Sequence, residues 1–371
     1  MNNESDQGVP ASSNVRGAEY PRIHDDLRVT FRLEAPTAQR VQVQPGGDEN
    51  GLGAGSFDMA RDAAGVWRVT TPPVVPGLHY YWLLVDGVAV NDPASETYFG
   101  YGKQTSCVEV PEEGVDFYAI QDVPHGEVRA RWYFAQATGA WRRAYVYTPP
   151  DYDAAGSRRY PVLYLQHGAG EDERGWTKQG RANFILDNLI AAGRAAPMIL
   201  VMDSGYAMPR EAGAGFGPSF IQQISEAFSK LALQDLIPML DATYRTLVHR
   251  EQRAIAGLSM GARQALHTGL SHTDTFAWIG AFSGPVLESL DLQTAYSGLF
   301  RDAEAFNRQV RLLWLSAGSV ETRIDQGLQR LHEALDQMGI AHEIYRSAGT
   351  AHEWQTWRRS LHAFAPRLFR A

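Results

Sequence analysis

Ser259 stands in Gly257-Leu258-Ser259-Met260-Gly261, and this spacing is the strongest chemical feature of the chain. A serine hydroxyl is a weak nucleophile until a neighbouring base takes its proton. The Gly-x-Ser-x-Gly pattern solves the placement problem. It sets the serine on a tight, strained turn between a strand and a helix, where only glycines let the backbone pass closely. Arg253-Ala254-Ile255-Ala256 reads as a short strand before the turn, and Ala262 to His267 as the start of a helix after it. The five-residue pattern alone is common; the strand and helix around it give it weight.

The base must follow the serine, because the order along the chain on this kind of sheet is Ser, acid, His. His267 and His332 fall in helix-like segments, His272 lies too soon after the elbow, and His342 sits in the strand-like run Ala341 to Tyr345. His352 differs. It follows the small-residue loop Ser347-Ala348-Gly349-Thr350-Ala351, after the last strand-like run, and precedes a helix rich in tryptophan. The acid is expected in the loop after Leu312-Leu313-Trp314-Leu315. Glu321 is nearest the strand end, and Asp325 falls within the following helix. A glutamate orients an imidazole and stabilises its cation as an aspartate does, with one more bond to fix. Glu321 is preferred to Asp325; its bland reading is a charge favouring a helix N-terminus.

An oxyanion hole needs backbone N–H groups aimed at the developing charge. One is expected from Met260. The other is expected from Gln166-His167-Gly168-Ala169-Gly170, at Ala169 or the neighbouring Gly168. His167 is read as a packing residue that holds this loop. Trp176 and Trp354 are candidate walls of an acyl pocket, although tryptophan is more often simply core, and Asp203 is a candidate for lining the cleft. No metal site or cofactor is expected.

The elements that position these residues change character along the chain. Residues 1–18 are polar and aperiodic and read as a disordered tail. Residues 19–112 alternate in period two, as in Leu27 to Leu33 and Tyr80 to Val85, with Asp86-Gly87 as a hairpin signal, so a small all-β sandwich is expected. Residues 113–128 read as a connector. From 129 to 371, apolar runs such as Val162 to Leu165, Met198 to Met202 and Ile279 to Phe282 alternate with helical stretches at 181–192, 224–244 and 323–338. That pattern predicts an α/β domain with a mostly parallel sheet covered on both faces.

Composition narrows the function classes. The chain has 371 residues, a net charge of −8 and one cysteine, Cys107. There is no basic footprint for nucleic acid, no intrachain disulfide and no cysteine metal cage. No apolar run reaches the roughly 20 residues that cross a bilayer, and the first segment lacks the apolar stretch of a signal peptide. A secreted or periplasmic protein whose export signal is absent here is expected, with a cytoplasmic one left open.

In four segments the chain resembles the feruloyl esterase-like enzymes of carbohydrate esterase family 1, kin to the esterase D and enterochelin esterase hydrolases. The segments are Tyr160 to Gly168, Gly180 to Ile190, Ala256 to Gly261 and Gly349 to Trp354. The resemblance implies an α/β-hydrolase fold and ester hydrolysis through an acyl-enzyme, and it matches His352 to the family's Gly-x-His-x-Trp-like motif. It implies a feruloylated or acetylated polysaccharide as substrate. Three departures stand out: Glu321 where the family has Asp, Ala262 for a glycine, and the loop Val201-Met202-Asp203-Ser204-Gly205-Tyr206 in place of a Pro-Asn-Gly-His pattern. Residues 76–93 resemble a family 48 carbohydrate-binding module. Such modules bind polysaccharide, shape the cleft rim or mediate homodimer contacts, and the sequence leaves these open. Other ester substrates (acetyl xylan, small or siderophore esters), acyl transfer, and a non-catalytic carbohydrate-binding role are the alternatives.

Overall fold

The computed structural model describes residues 8–47, 51–208, 218–284 and 291–370, without the side chains of 218–221. Two compact units emerge. One comprises the residues up to Val115 together with Thr350–Thr356; the other comprises Asp116–Gly349 and the chain from Trp357 onward.

The first unit is built from two antiparallel sheets, one of five strands and one of six. Val29–Glu34 and Val66–Thr70 pair at the centre of the first, and Val41–Pro45, Gly77–Val85 and Lys103–Val110 at the centre of the second. Alternate residues of a strand point to opposite faces, so Val29, Phe31, Val41, Val43, Tyr81, Leu83, Val108 and Val110 meet in one core. The Phe31 and Tyr81 rings meet edge-on at 4.9 Å. The Asp86-Gly87 signal is realised as a two-residue hairpin that pairs Val85 with Val88. Both turn residues have positive φ, 50° and 85°, as a type I′ turn requires.

The expected disordered tail is corrected where it is described. Val9–Pro10 pairs with Arg22–Ile23, and Ala11 and Ser13 are buried. The Ser13 hydroxyl accepts from the Glu109 N–H at 3.1 Å, and the Asn14 side chain donates to Ala18 O and Pro21 O. A short polar segment orders here because its backbone completes a sheet edge. Residues 1–7 lie outside the described residues.

The second unit carries an eight-stranded sheet. Its order is Glu127–Ala135, Ala140–Thr148, Ile199–Asp203, Val162–Gln166, Arg253–Leu258, Trp278–Phe282, Leu312–Gly318 and Glu343–Ser347. The first two strands are antiparallel to their neighbours and the remaining six run parallel. Glu127–Ala135 takes up the last two residues of the expected connector. Every residue of Val162–Gln166, Ile199–Asp203 and Arg253–Leu258 is buried, which requires cover on both faces and explains their unbroken apolar runs. Helices Ala182–Ala191, Met260–Ser271 and Thr322–Gln337 alternate with these strands. The long helical stretch starting at Pro218 runs to Thr243 through a wide turn at Ala232–Leu236. Among the described residues no helix is long and apolar enough to cross a membrane.

Candidate active site

In parallel sheets the carboxyl ends of the strands face one edge, where loops gather reactive groups. Ser259, Glu321 and His352 each follow such an end: after Arg253–Leu258, after Leu312–Gly318 and after Glu343–Ser347.

Ser259 occupies φ 52°, ψ −113°, a conformation that costs about 1–3 kcal/mol in a non-glycine residue. Its N–H donates to Phe282 O at 2.9 Å, which pins the elbow to the next strand. The flanking glycines are required by close approach. A Cβ on Gly257 would lie 2.5 Å from the Gly261 carbonyl, and one on Gly261 would lie 2.5 Å from His167 O. Helix Met260–Ser271 starts directly after the serine.

The loop after Val162–Gln166 lies against the elbow. A Cβ on Gly168 would sit 3.4 Å from the Ser259 Cβ. Gly168 N–H donates to Glu171 Oε2 at 3.3 Å and Gly170 N–H to the Tyr206 hydroxyl at 2.6 Å. Between them the N–H of Ala169, like that of Met260, has no protein acceptor among the described residues. Two uncommitted donors beside a strained serine are what an oxyanion hole requires. Gly168 is the weaker of the expected donors, because its N–H is engaged.

His167 holds this loop. Its Nδ1–H donates to Gly168 O at 2.8 Å, and its Nε2 accepts from Gly205 N–H at 2.9 Å. Burial pushes the imidazole below its ordinary pKa, which keeps the neutral form that this pattern needs.

Glu321 is wholly buried. Its Oε2 accepts from the Ser283 hydroxyl at 2.7 Å and from Gly318 N–H at 2.5 Å, and Ser283 Oγ in turn accepts from Trp357 Nε1 at 3.0 Å. Glu321 stands at the N-cap position of helix Thr322–Gln337, where its charge also favours the helix N-terminus, but its side chain makes no capping bond. Asp325 lies one turn into helix Thr322–Gln337 and pairs outward with Arg346 at 2.6 Å. Ser283 and Trp357 were missed in the sequence; neither Ser283, which reaches Glu321, nor Trp357, which reaches Ser283, carries a local signal for a contact so far away along the chain.

His352 is half-buried. Its segment, 350–356, packs as part of the first unit.

Three expected substrate contacts are corrected. Trp176 and Trp354 are 1% exposed. The Trp176 Nε1 donates to Gln166 O at 2.9 Å and that of Trp354 to the Tyr80 hydroxyl at 2.9 Å, so both rings pack inside their units. Asp203 has no exposed surface. Its carboxylate accepts from the Tyr133 hydroxyl, from Arg142 Nη2 at 3.0 Å and from Ser204 N–H at 2.6 Å. Burial raises its pKa, and the Arg142 guanidinium opposes that shift. Arg142 also donates to Ser204 O and Tyr206 O, which steadies the loop whose Tyr206 receives Gly170 N–H. Asp203 therefore supports the site from behind. Arg142→Ala strands this carboxylate without its cation, and a loss of about 3–5 kcal/mol of stability is expected in urea denaturation.

Among the described residues one group has metal-ligand character: His332, Asp336 and His342. His342 Nδ1–H donates to Ile340 O at 2.8 Å, and its Nε2 faces His332 Nδ1 at 2.7 Å. A cation would have to displace that bond. The group precedes Glu343–Ser347, on the sheet edge opposite Ser259.

Known proteins share this fold and sequence pattern to the following extent. A family profile described as "Putative esterase" matches residues 135–368. The chain is 36% identical over 367 residues to an endo-1,4-beta-xylanase/feruloyl esterase of Xylanibacter ruminicola, covering 98% of this chain and 47% of that protein. It is 29% identical over 300 residues to an esterase of Mycobacterium tuberculosis, covering 69% of this chain and 60% of that one. The chain thus spans about half the length of the first relative. Among solved structures it is similar to a ferulic acid esterase of Anaeromyces mucronatus (TM-score 0.59, 23% identity, 68% of this chain and 95% of that one). It is also similar to the enterobactin esterase of Shigella flexneri (TM-score 0.66, 19% identity, 91% and 92%). These likenesses establish an α/β-hydrolase-like fold for the catalytic region. With the family profile covering residues 135–368, most of the second unit, the chain belongs to the esterase family.

Proposed function

We propose that the protein is a serine esterase that forms an acyl-enzyme on Ser259, with His352 as base and Glu321 as the acid that orients it. The observation that carries this reading is the strained Ser259 beside the two uncommitted N–H groups of Ala169 and Met260. His352 takes the Ser259 proton as Oγ attacks the ester carbonyl. The oxyanion is held by the two N–H groups, and removal of one such donor costs about 10²–10³ in turnover. Collapse of the tetrahedral intermediate expels the alcohol, which receives the proton from His352. Water, deprotonated by the same imidazole, then attacks the acyl-serine and releases the carboxylic acid and free Ser259.

The substrate class favoured is a hydroxycinnamoyl ester on plant cell-wall polysaccharide. It is supported by the name of the relative that matches nearly the whole chain. The test is a panel of methyl ferulate, an aryl acetate, acetylated xylan and a catecholate siderophore ester. Highest kcat/KM on methyl ferulate is expected. Preference for acetylated xylan or the siderophore ester would reassign the acyl group while keeping the mechanism. Formation of an acylated sugar when a sugar acceptor is added would identify acyl transfer instead.

A further inference from the structure

Helix Thr322–Gln337 ends in a turn that brings a further histidine back over its last residues. Gly339 takes φ 73°, which glycine adopts without strain. Its N–H donates to Asp336 O at 3.0 Å, and the Ile340 N–H donates to Leu335 O at 3.0 Å. These two bonds reverse the chain at the helix end, with Leu335 and Ile340 both buried. Asn307, on helix Ala303–Gln309, clamps the turn: its Nδ2 donates to Gly339 O at 2.9 Å and its Oδ1 accepts from Ala341 N–H at 2.8 Å. His342 therefore leaves a fixed backbone.

His332 and Asp336 stand four residues apart and so share one face of the helix. With His342 they place three ligand-type atoms within 4.8 Å of one another. His342 Nε2 lies 2.7 Å from His332 Nδ1 and 4.0 Å from Asp336 Oδ1. The His342 side chain is 1% exposed, that of His332 34% and that of Asp336 61%, so the group is anchored at one end and open to water at the other. Ile340 O can only accept, so the His342 Nδ1 that faces it at 2.8 Å carries the proton. In the neutral ring the lone pair is then on Nε2, the atom turned toward His332 and Asp336. A backbone carbonyl holding the far nitrogen is how proteins set an imidazole toward a cation.

We propose that His332, Asp336 and His342 bind a divalent transition-metal cation, zinc foremost, with water completing its coordination. Two imidazole nitrogens and one carboxylate oxygen suit zinc, whereas calcium and magnesium take oxygen ligands. Two ligand atoms on a tetrahedral zinc, with bonds of about 2.0 Å, stand about 3.3 Å apart. The nitrogens therefore part slightly and the Asp336 oxygen draws in, and the hydrogen bond between the rings is given up. The His332 proton moves from Nδ1 to Nε2, which faces Asp336 Oδ2 at 3.6 Å. The cation staples the helix end to the start of strand Glu343–Ser347. The site is independent of the esterase reading.

The test titrates the untagged full chain, freed of metal by chelation, with zinc chloride alone in a calorimeter. One cation per chain is expected. The melting transition is expected to rise by about 5–10 °C at a free zinc concentration roughly 100 times Kd. Calcium chloride gives neither result. His332→Ala and His342→Ala each lose at least the roughly 10–100-fold in affinity that removal of a supporting group costs. Asp336→Asn weakens binding in the same direction. His342 is the buried member, so if its variant fails to fold, His332→Ala and Asp336→Asn carry the comparison from the open end. No zinc binding by wild type, affinity unchanged in His332→Ala, or an equal response to calcium overturns the proposal.

Discussion

Ser259→Ala is expected to lower kcat for an aryl acetate by on the order of 10⁵–10⁶, leaving the residual rate that a binding site and oxyanion donors give on their own. The substitution removes the atom that forms the covalent bond and little else. The elbow is held by the Ser259 N–H to Phe282 O bond and by the close passage of Gly257 and Gly261, none of which involves the hydroxyl. Alanine tolerates φ 52° no worse than serine does, so the melting transition should stay near that of wild type. Equal rates in variant and wild type would contradict a serine mechanism.

Glu321→Ala is expected to lower kcat by about 10²–10⁴, because an imidazole without its carboxylate loses both its orientation and the partner of its cation. This variant also leaves the Ser283 hydroxyl and Gly318 N–H without an acceptor in a buried place, at a stability cost of about 1–3 kcal/mol. Glu321→Gln separates the two effects. Its amide oxygen still accepts from Gly318, so stability is largely kept while the charge is lost and turnover falls. Asp325→Ala gives up only a partly exposed pair with Arg346, worth about 0–1 kcal/mol, and its turnover should match wild type. Loss in Asp325→Ala with normal turnover in Glu321→Ala would move the acid to Asp325.

How much of this was legible in the sequence depends on how local each determinant is. The elbow lies within five residues, and its glycines are dictated by contacts around the same turn. The central strands announced themselves because burial on both faces leaves no room for polar alternation, as in Ile199–Asp203. The strand Glu127–Ala135 did not, because most of its residues are exposed and it carries Glu127, Arg129 and Arg131. Glu321 is expected as the acid from its place after a strand, but the groups around its carboxylate, Ser283 and through it Trp357, come from elsewhere in the fold. Trp176, Trp354 and Asp203 were assigned to a cleft because a residue beside a reactive loop reads the same whether it faces substrate or core. Burial decides, and burial of Asp203 depends on Tyr133 and Arg142, 70 and 61 residues earlier. The pairing of Trp354 with Tyr80 spans 274 residues and leaves no trace in either segment.

The central claim is that Ser259 carries the acyl group, and the most direct measurement is labelling of the intact protein with a fluorophosphonate, followed by peptide mass mapping. A single adduct on the peptide containing Ser259, suppressed by prior incubation with methyl ferulate and absent in Ser259→Ala, is the result predicted. Full esterase activity after exhaustive exposure to the reagent, or an adduct on another residue that tracks the loss of activity, would contradict it.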